Sequence, residues 1–270
     1  MKIDFYKYEG TGNDFIIIDN RRGILKEKNA ALWKRLCDRR FGIGADGLML
    51  LQKPKTGKKG YDFEMYYVNA DGMPTSMCGN GGRCIAHFAK QLGIVKNRTR
   101  FLAIDGEHEA VIKKEGVKLK MRDVQVIKTA GSRGREHYIL DTGSPHYISF
   151  INDVMRADIY KLGRAVRYGR RFKKEGINVN FVETPKNKTA LLRTYERGVE
   201  DETLSCGTGT VATALVLALL NKSTAKDNCT IKTMGGMLKV WYVKQGNAFT
   251  DVWLEGPAKM VYRGQIEITG

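Results

Sequence analysis

Apolar positions along this chain fall into two kinds of run. Phe15-Ile16-Ile17-Ile18, closed by Asp19, is short, continuous and rich in β-branched residues, which predicts a buried strand. Leu48-Met49-Leu50-Leu51 and the stretch from Asp62 to Val68 read the same way. Residues 29–40 instead place Ala31, Leu32, Trp33 and Leu36 at helical spacing, which predicts a helix over Asn29 to Arg40. Two further helices are expected to open on cysteine. One starts at Met77-Cys78-Gly79-Asn80, runs through His87-Phe88-Ala89-Lys90-Gln91-Leu92 and stops at Gly93. The other starts at Ser205-Cys206-Gly207-Thr208 and continues into an apolar run from Val211 to Leu220, interrupted by Thr213. That run is the longest in the chain and falls well short of the roughly 20 residues a bilayer span needs. Phe41 to Gly47 is a glycine-rich turn, Lys53 to Gly60 a polar loop, and Met260 to Ile268 a last strand.

The two cysteine segments share one pattern: Cys-Gly-polar-Gly, three residues, then Ala. They lie nearly half the chain apart, and a strand with an acid-bearing turn precedes each, Tyr67 to Gly72 in one case and Thr194 to Gly198 in the other. This points to an old duplication. The expected fold is α+β: two pseudo-symmetric domains, each a mixed or antiparallel sheet curled around a central helix, with the active site in the cleft between them. The expected halves are residues 1–124, joined by a C-terminal strand at 260–270, and residues 125–259.

Composition narrows the class. With 270 residues, 42% of them hydrophobic, the chain can build a substantial core, and disorder, collagen-like repeats and a disulfide scaffold are excluded. The N-terminus lacks an apolar signal segment, so the five cysteines are expected to be reduced thiols in a cytoplasmic protein. A net charge of +17 invites a nucleic-acid reading, and Arg167 to Lys174 interleaves aromatics with cations. The basic clusters are scattered, however, and no zinc-finger spacing or continuous basic helix accompanies them, so no specific nucleic-acid partner and no membrane partner is expected. A basic binding protein with vestigial catalytic motifs is the alternative from a different class.

A cysteine at a glycine-rich helix start has a chemical rationale. The first helical turn presents N–H donors and a partial positive charge that suit a carboxylate and stabilise a thiolate. One copy can be mere helix capping. Two copies suit a racemase, in which one thiolate removes the proton from Cα and an opposing thiol delivers one to the other face. No CxxC or HExxH is present, so no metal is expected. A single Cys with His146 would suit an amidase, but would not need the second cysteine.

Taken together, Gly12-Asn13-Asp14-Phe15, Gly42 to Gly47, Asn69-Ala70-Asp71-Gly72, Cys78 to Cys84, Ser144-Pro145-His146, Asn178, Tyr195 to Gly198 and Cys206 to Gly209 resemble the diaminopimelate epimerase family in order and spacing. The resemblance implies a cofactor-independent isomerase that converts LL-2,6-diaminopimelate to the meso form, in lysine and peptidoglycan precursor biosynthesis. It implies Cys78 and Cys206 as the acid/base pair, and Gly79, Asn80, Gly207 and Thr208 around the reacting carboxylate. It places Asn13, Asn69, Asn178, Glu196 and Arg197 on the substrate, particularly its distal end, with His146 and Ser144 in support, and it implies a homodimer. Ser144 stands where the family often has Asn. The second cysteine motif also resembles that of proline racemase and hydroxyproline epimerase, the alternative within the superfamily. Cys84 is read as core packing, Cys37 and Cys229 as bystanders, and Asp46 and Asp71 as shaping turns.

Overall fold

A computed structural model describes residues 1–55, 60–131, 136–186, 189–223 and 225–268. Residues 56–59 of the expected polar loop, and residues 269–270 of the expected last strand, lie outside the described residues. The chain forms two compact units, Met1–Leu119 with Pro257–Gly270, and Lys120–Gly256. In chain order the first unit contains β1 (Lys2–Gly10), β2 (Asn13–Asp19), α1 (Ala30–Cys37), β3 (Gly47–Gln52), β4 (Phe63–Asn69), α2 (Gly79–Gln91), β5 (Arg98–Ala103) and β6 (Gly106–Ile112), with β7 (Val117–Lys120) at the boundary. The second contains β8 (Lys128–Ala130), β9 (His137–Asp141), β10 (Pro145–Phe150), α3 (Ile159–Arg167), β11 (Asn178–Lys186), β12 (Thr189–Glu196), β13 (Asp201–Thr203), α4 (Gly207–Leu219), β14 (Asn228–Thr233), β15 (Gly236–Gln245) and β16 (Ala248–Gly256). The last strand, β17 (Lys259–Glu267), returns to the first unit and pairs antiparallel with β1.

The duplication is visible in the pairing. In the first unit β1–β2 is antiparallel, β2–β3 parallel, β3–β4 antiparallel, β4–β5 parallel and β5–β6 antiparallel. In the second, β9–β10, β10–β11, β11–β12, β12–β14 and β14–β15 repeat that order of senses. A helix fills each parallel crossover, as parallel pairing requires: α1 and α3 after the second strand of each set, α2 and α4 after the fourth. The sheets curl around α2 and α4: α2 packs against β1, β2, β3 and β6, and α4 against β9 to β12 and β14 to β16. This is the α+β arrangement expected from the sequence.

Burial on both sheet faces explains the continuous apolar runs. Ile16 and Ile18 of β2, with Leu48 and Leu50 of β3, pack against Trp33 and Leu36 of α1. Their neighbours Phe15 and Met49 lie on the opposite face, close to Gly81 of α2. Helix α1 is shorter than expected and ends at Cys37. The Asp38 carboxylate accepts hydrogen bonds from the backbone N–H groups of Arg40 and Phe41, both at 2.7 Å, which turns the chain away. The glycine-rich turn then folds back, and N–H groups of Ile43, Gly44 and Ala45 satisfy the carbonyls of Leu36 and Cys37. A Cβ on Gly42 would lie 2.0 Å from the Arg35 carbonyl oxygen, so only glycine fits there. In the second unit α3 (capped by Asp158, whose carboxylate accepts from Lys161 N–H at 2.9 Å) covers a core of Val154, Ile177, Val179, Phe181 and Tyr195. Periodicity did not disclose α3, which lies next to the basic cluster at 167–174.

Candidate active site

Cys78 and Cys206 occupy the same structural position in the two units. Each is the N-cap of the helix its sheet wraps, with extended backbone (φ −89°, ψ 135° and φ −107°, ψ 113°) and no side-chain capping bond. Ser, Thr, Asp or Asn at such a position typically adds about 1 kcal/mol of helix stability, which a thiol forgoes. The first helical bonds run from Gly82 N–H to the Cys78 carbonyl and from Thr210 N–H to the Cys206 carbonyl. The amides of Gly79, Asn80 and Gly81, and of Gly207, Thr208 and Gly209, therefore precede the helical ladder and carry the positive end of the helix dipole.

In the first unit Cys78 donates to Asn13 Oδ1 at 3.6 Å, and Asn80 Nδ2 donates to the same oxygen at 3.4 Å. Asn13 is held from behind: its Nδ2 donates to Asp46 Oδ2 at 2.6 Å, and Arg39 donates to both Asp46 and Asp14 at 2.7 Å. Asp46 thus does more than shape its turn. Buried Lys7 completes this network with an ion pair to Asp14 at 2.7 Å. Burial alone would raise the Asp14 carboxyl, but the bonds from Arg39 and Lys7 prevail and hold it well below the ordinary range. Asn80 Oδ1 accepts from Arg83 Nη2 at 3.0 Å. Arg83 is fully buried and also donates to the Gly79 carbonyl, Thr11 Oγ1 and the Pro257 carbonyl. Asn69 is exposed at the end of β4, where it pairs with Gly47. Cys84 is fully buried, and burial pushes its thiol far up, as a core residue's should be; Cys37 is pushed up to about 12 for the same reason. Asp71 does shape its turn, accepting from Met73 N–H at 2.8 Å.

The second unit gathers the remaining candidates. Asn178 and His146 are paired across the parallel strands β11 and β10, and Asn178 pairs with the Glu196 end of β12 through its neighbour Val179 and Tyr195. Asn178 Nδ2 donates to Ser144 Oγ at 2.6 Å, and its Oδ1 accepts from Arg197 N–H at 2.9 Å. Arg197 is exposed, with Nη1 donating to the Glu175 carbonyl, and Glu196 accepts from the Thr203 hydroxyl at 2.7 Å. His146 is fully buried; its Nε2 lies 2.9 Å from Thr208 Oγ1, which lies 3.6 Å from Cys206 Sγ. Burial, then the charge of Arg197, lowers the His146 imidazole to about 3, so the ring is neutral. Asn180, absent from the expected site residues, bonds to His146 Nδ1 at 3.1 Å. Strand periodicity carries the signal for it: Asn180 lies two residues beyond Asn178 and therefore on the same sheet face.

The family model for diaminopimelate epimerase matches residues 5–127 and 138–261. The chain belongs to the diaminopimelate epimerase family. It is 46% identical to the diaminopimelate epimerase of Flavobacterium psychrophilum, over 97% of this chain and 99% of the relative, and 41% identical to that of Chlorobaculum tepidum, over 96% and 99%. Among solved structures it is similar in fold to a phenazine biosynthesis protein of the PhzF family from Bacillus anthracis (TM-score 0.75, 15% identity, 99% and 100% of the two chains). It is likewise similar to a hydroxyproline epimerase from Agrobacterium vitis (TM-score 0.69, 12% identity, 98% and 92%). Within this diaminopimelate epimerase family member, no group of three or more His, Cys, Asp or Glu suited to a metal occurs among the described residues, and no described helix is long and apolar enough to cross a membrane.

Proposed function

We propose that this chain interconverts LL- and meso-2,6-diaminopimelate with Cys78 and Cys206 as the acid/base pair. The observation that carries the reading is near-full-length kinship with diaminopimelate epimerases in a chain whose two units each present a cysteine at a glycine-rich helix start. One thiolate takes the Cα proton, so that the C–H bond breaks and an S–H bond forms. The electron pair left on carbon is delocalised into the carboxylate, and the other thiol protonates the opposite face. The amides at Gly79, Asn80, Gly207 and Thr208 meet the negative charge that builds on that carboxylate. Asn13 and Asn69, with Asn178, Glu196 and Arg197, hold the substrate; Arg197 supplies the forked partner for the distal carboxylate and Glu196 a counter-charge for an ammonium. His146 and Ser144 act in support, and the enzyme works as a homodimer without a cofactor in the cytoplasm.

Proline and hydroxyproline have no distal carboxylate for Arg197. Incubation in deuterated water with LL-diaminopimelate, proline and hydroxyproline separates the readings: deuterium enters one α-carbon of diaminopimelate as the meso form appears, and the two imino acids remain unlabelled. Exchange into proline or hydroxyproline alone would place the chain with the other racemases.

A further inference from the structure

A continuous run of hydrogen bonds leads from the start of β11 to the Cys206 sulfur, and its direction follows from the donors along it. Asn180 is fully buried, and its amide orientation is settled by its neighbours. Nδ2 faces the Tyr147 carbonyl at 3.1 Å and the Asn178 carbonyl at 3.3 Å, while Oδ1 accepts from the Thr194 hydroxyl at 3.0 Å. The reverse orientation would set the amide oxygen against two carbonyl oxygens. The nitrogen next to His146 Nδ1 is therefore the amide NH2, whose two hydrogens are shared among the two carbonyls and Nδ1; it cannot accept, so Nδ1 carries no hydrogen towards it and serves as an acceptor. In a neutral imidazole the hydrogen then resides on Nε2, which donates to Thr208 Oγ1. Thr208 has one hydroxyl hydrogen. With an oxygen lone pair taken by the ring, that hydrogen is free to turn to Cys206 Sγ. Burial of the ring, and after it the charge of Arg197, opposes a second proton on the imidazole and so protects this polarity.

We propose that Asn180 is a positioning residue that acts through the His146 tautomer to make the Thr208 hydroxyl a hydrogen-bond donor to Cys206, so that Cys206 is held ready as a thiolate. The corresponding bond in the first unit has the opposite sense. Asn13 Nδ2 is committed to Asp46, so Oδ1 faces Cys78 and the sulfur is the donor. Duplicated helix starts thus surround their sulfurs with bonds of opposite polarity. The inference deepens the epimerase reading and rests on it for its catalytic meaning: in one direction of the interconversion Cys206 accepts the Cα proton and Cys78 supplies its own, and in the reverse direction the two exchange roles.

Two measurements that need no turnover test this. Long-range ¹H–¹⁵N spectra of the wild-type imidazoles, four in the chain, should display His146 as a single neutral Nε2–H tautomer. An Nδ1–H tautomer would overturn the proposal without any variant being made. Peptide-resolved alkylation by iodoacetamide across pH gives a midpoint for Cys206. Thr208→Val should raise that midpoint by about one pH unit or more, the value of a hydrogen bond to a charged group. Thr208→Ser should restore it. Asn180→Leu should raise it and abolish the single tautomer. A Cys206 midpoint unmoved by Thr208→Val refutes the donor chain. These results stand apart from the choice of substrate: a chain inactive on diaminopimelate would still display them, and an active epimerase with an Nδ1–H His146 would refute the donor chain alone.

Discussion

His146 makes acid stability a readout of the second unit's site. Its imidazole is lowered to about 3 by burial and by Arg197, against an ordinary value of 6.5. The unfolded chain therefore takes up a proton at His146 as pH falls through about 6.5, while the folded chain resists until about 3. The unfolded state binds more protons throughout that window, so stability falls as pH falls. The full gap is worth about 5 kcal/mol, and each pH unit well inside the window about 1.4 kcal/mol. Other groups titrate as well, so the contribution is read as a difference. Urea unfolding of wild type and His146→Gln between pH 7 and pH 4 should yield curves that converge or cross as acid is added, because glutamine carries no such proton linkage. The loss of packing and of the Asn180 bond in the variant is a pH-independent offset and does not alter the slope. Two parallel free-energy curves, or a His146 ring that titrates near 6.5 in the folded protein, would refute the reasoning.

Three further outcomes follow from the same geometry. Lys7→Met strips a buried partner from Asp14 while Arg39 remains, and should cost about 2–3 kcal/mol at pH 7, measured by chemical denaturation. Gly209→Ala would usually gain helix stability, but its Cβ would lie 2.4 Å from Asn180 Oδ1. The clash should prevail, with a loss of about 1–3 kcal/mol and a lowered kcat. Asp158→Ala removes the cap of α3, which packs against β11, β12 and β13, and should lower stability by about 1 kcal/mol while kcat stays at the wild-type value.

Much of the fold was legible because repetition is a strong signal. Two copies of Cys-Gly-polar-Gly before an apolar stretch implied two helix starts in equivalent places, and α2 and α4 start at Gly79 and Gly207. Continuous apolar runs marked β2 and β3, where both sheet faces are buried. Helix α1 ends before the predicted Arg40 because the Asp38 carboxylate captures two backbone N–H groups, which nothing in the periodicity shows. Helix α3 is not predicted because it is short and buries little, with Ile159 and Gly163 its buried positions among nine residues. Only glycine fits there, because a Cβ would lie 2.3 Å from Tyr195 Cβ and 2.5 Å from its Cγ, a long-range contact that local pattern does not contain. At the site, motif residues were legible, but their supports were not. The sequence predicts only a turn at Asp46 and no role for Asn180. Both act through bonds to residues more than 30 positions away, and spacing encodes no such bond.

The central claim is that the two cysteines of the duplicated helix starts form one acid/base pair acting on diaminopimelate. Its most direct test is the epimerisation of LL-diaminopimelate in deuterated water by wild type, Cys78→Ala and Cys206→Ala, with circular dichroism confirming that each variant is folded. The account predicts one deuterium per meso product for wild type and no meso product from either variant. Wild-type-like epimerisation by either folded variant would contradict it.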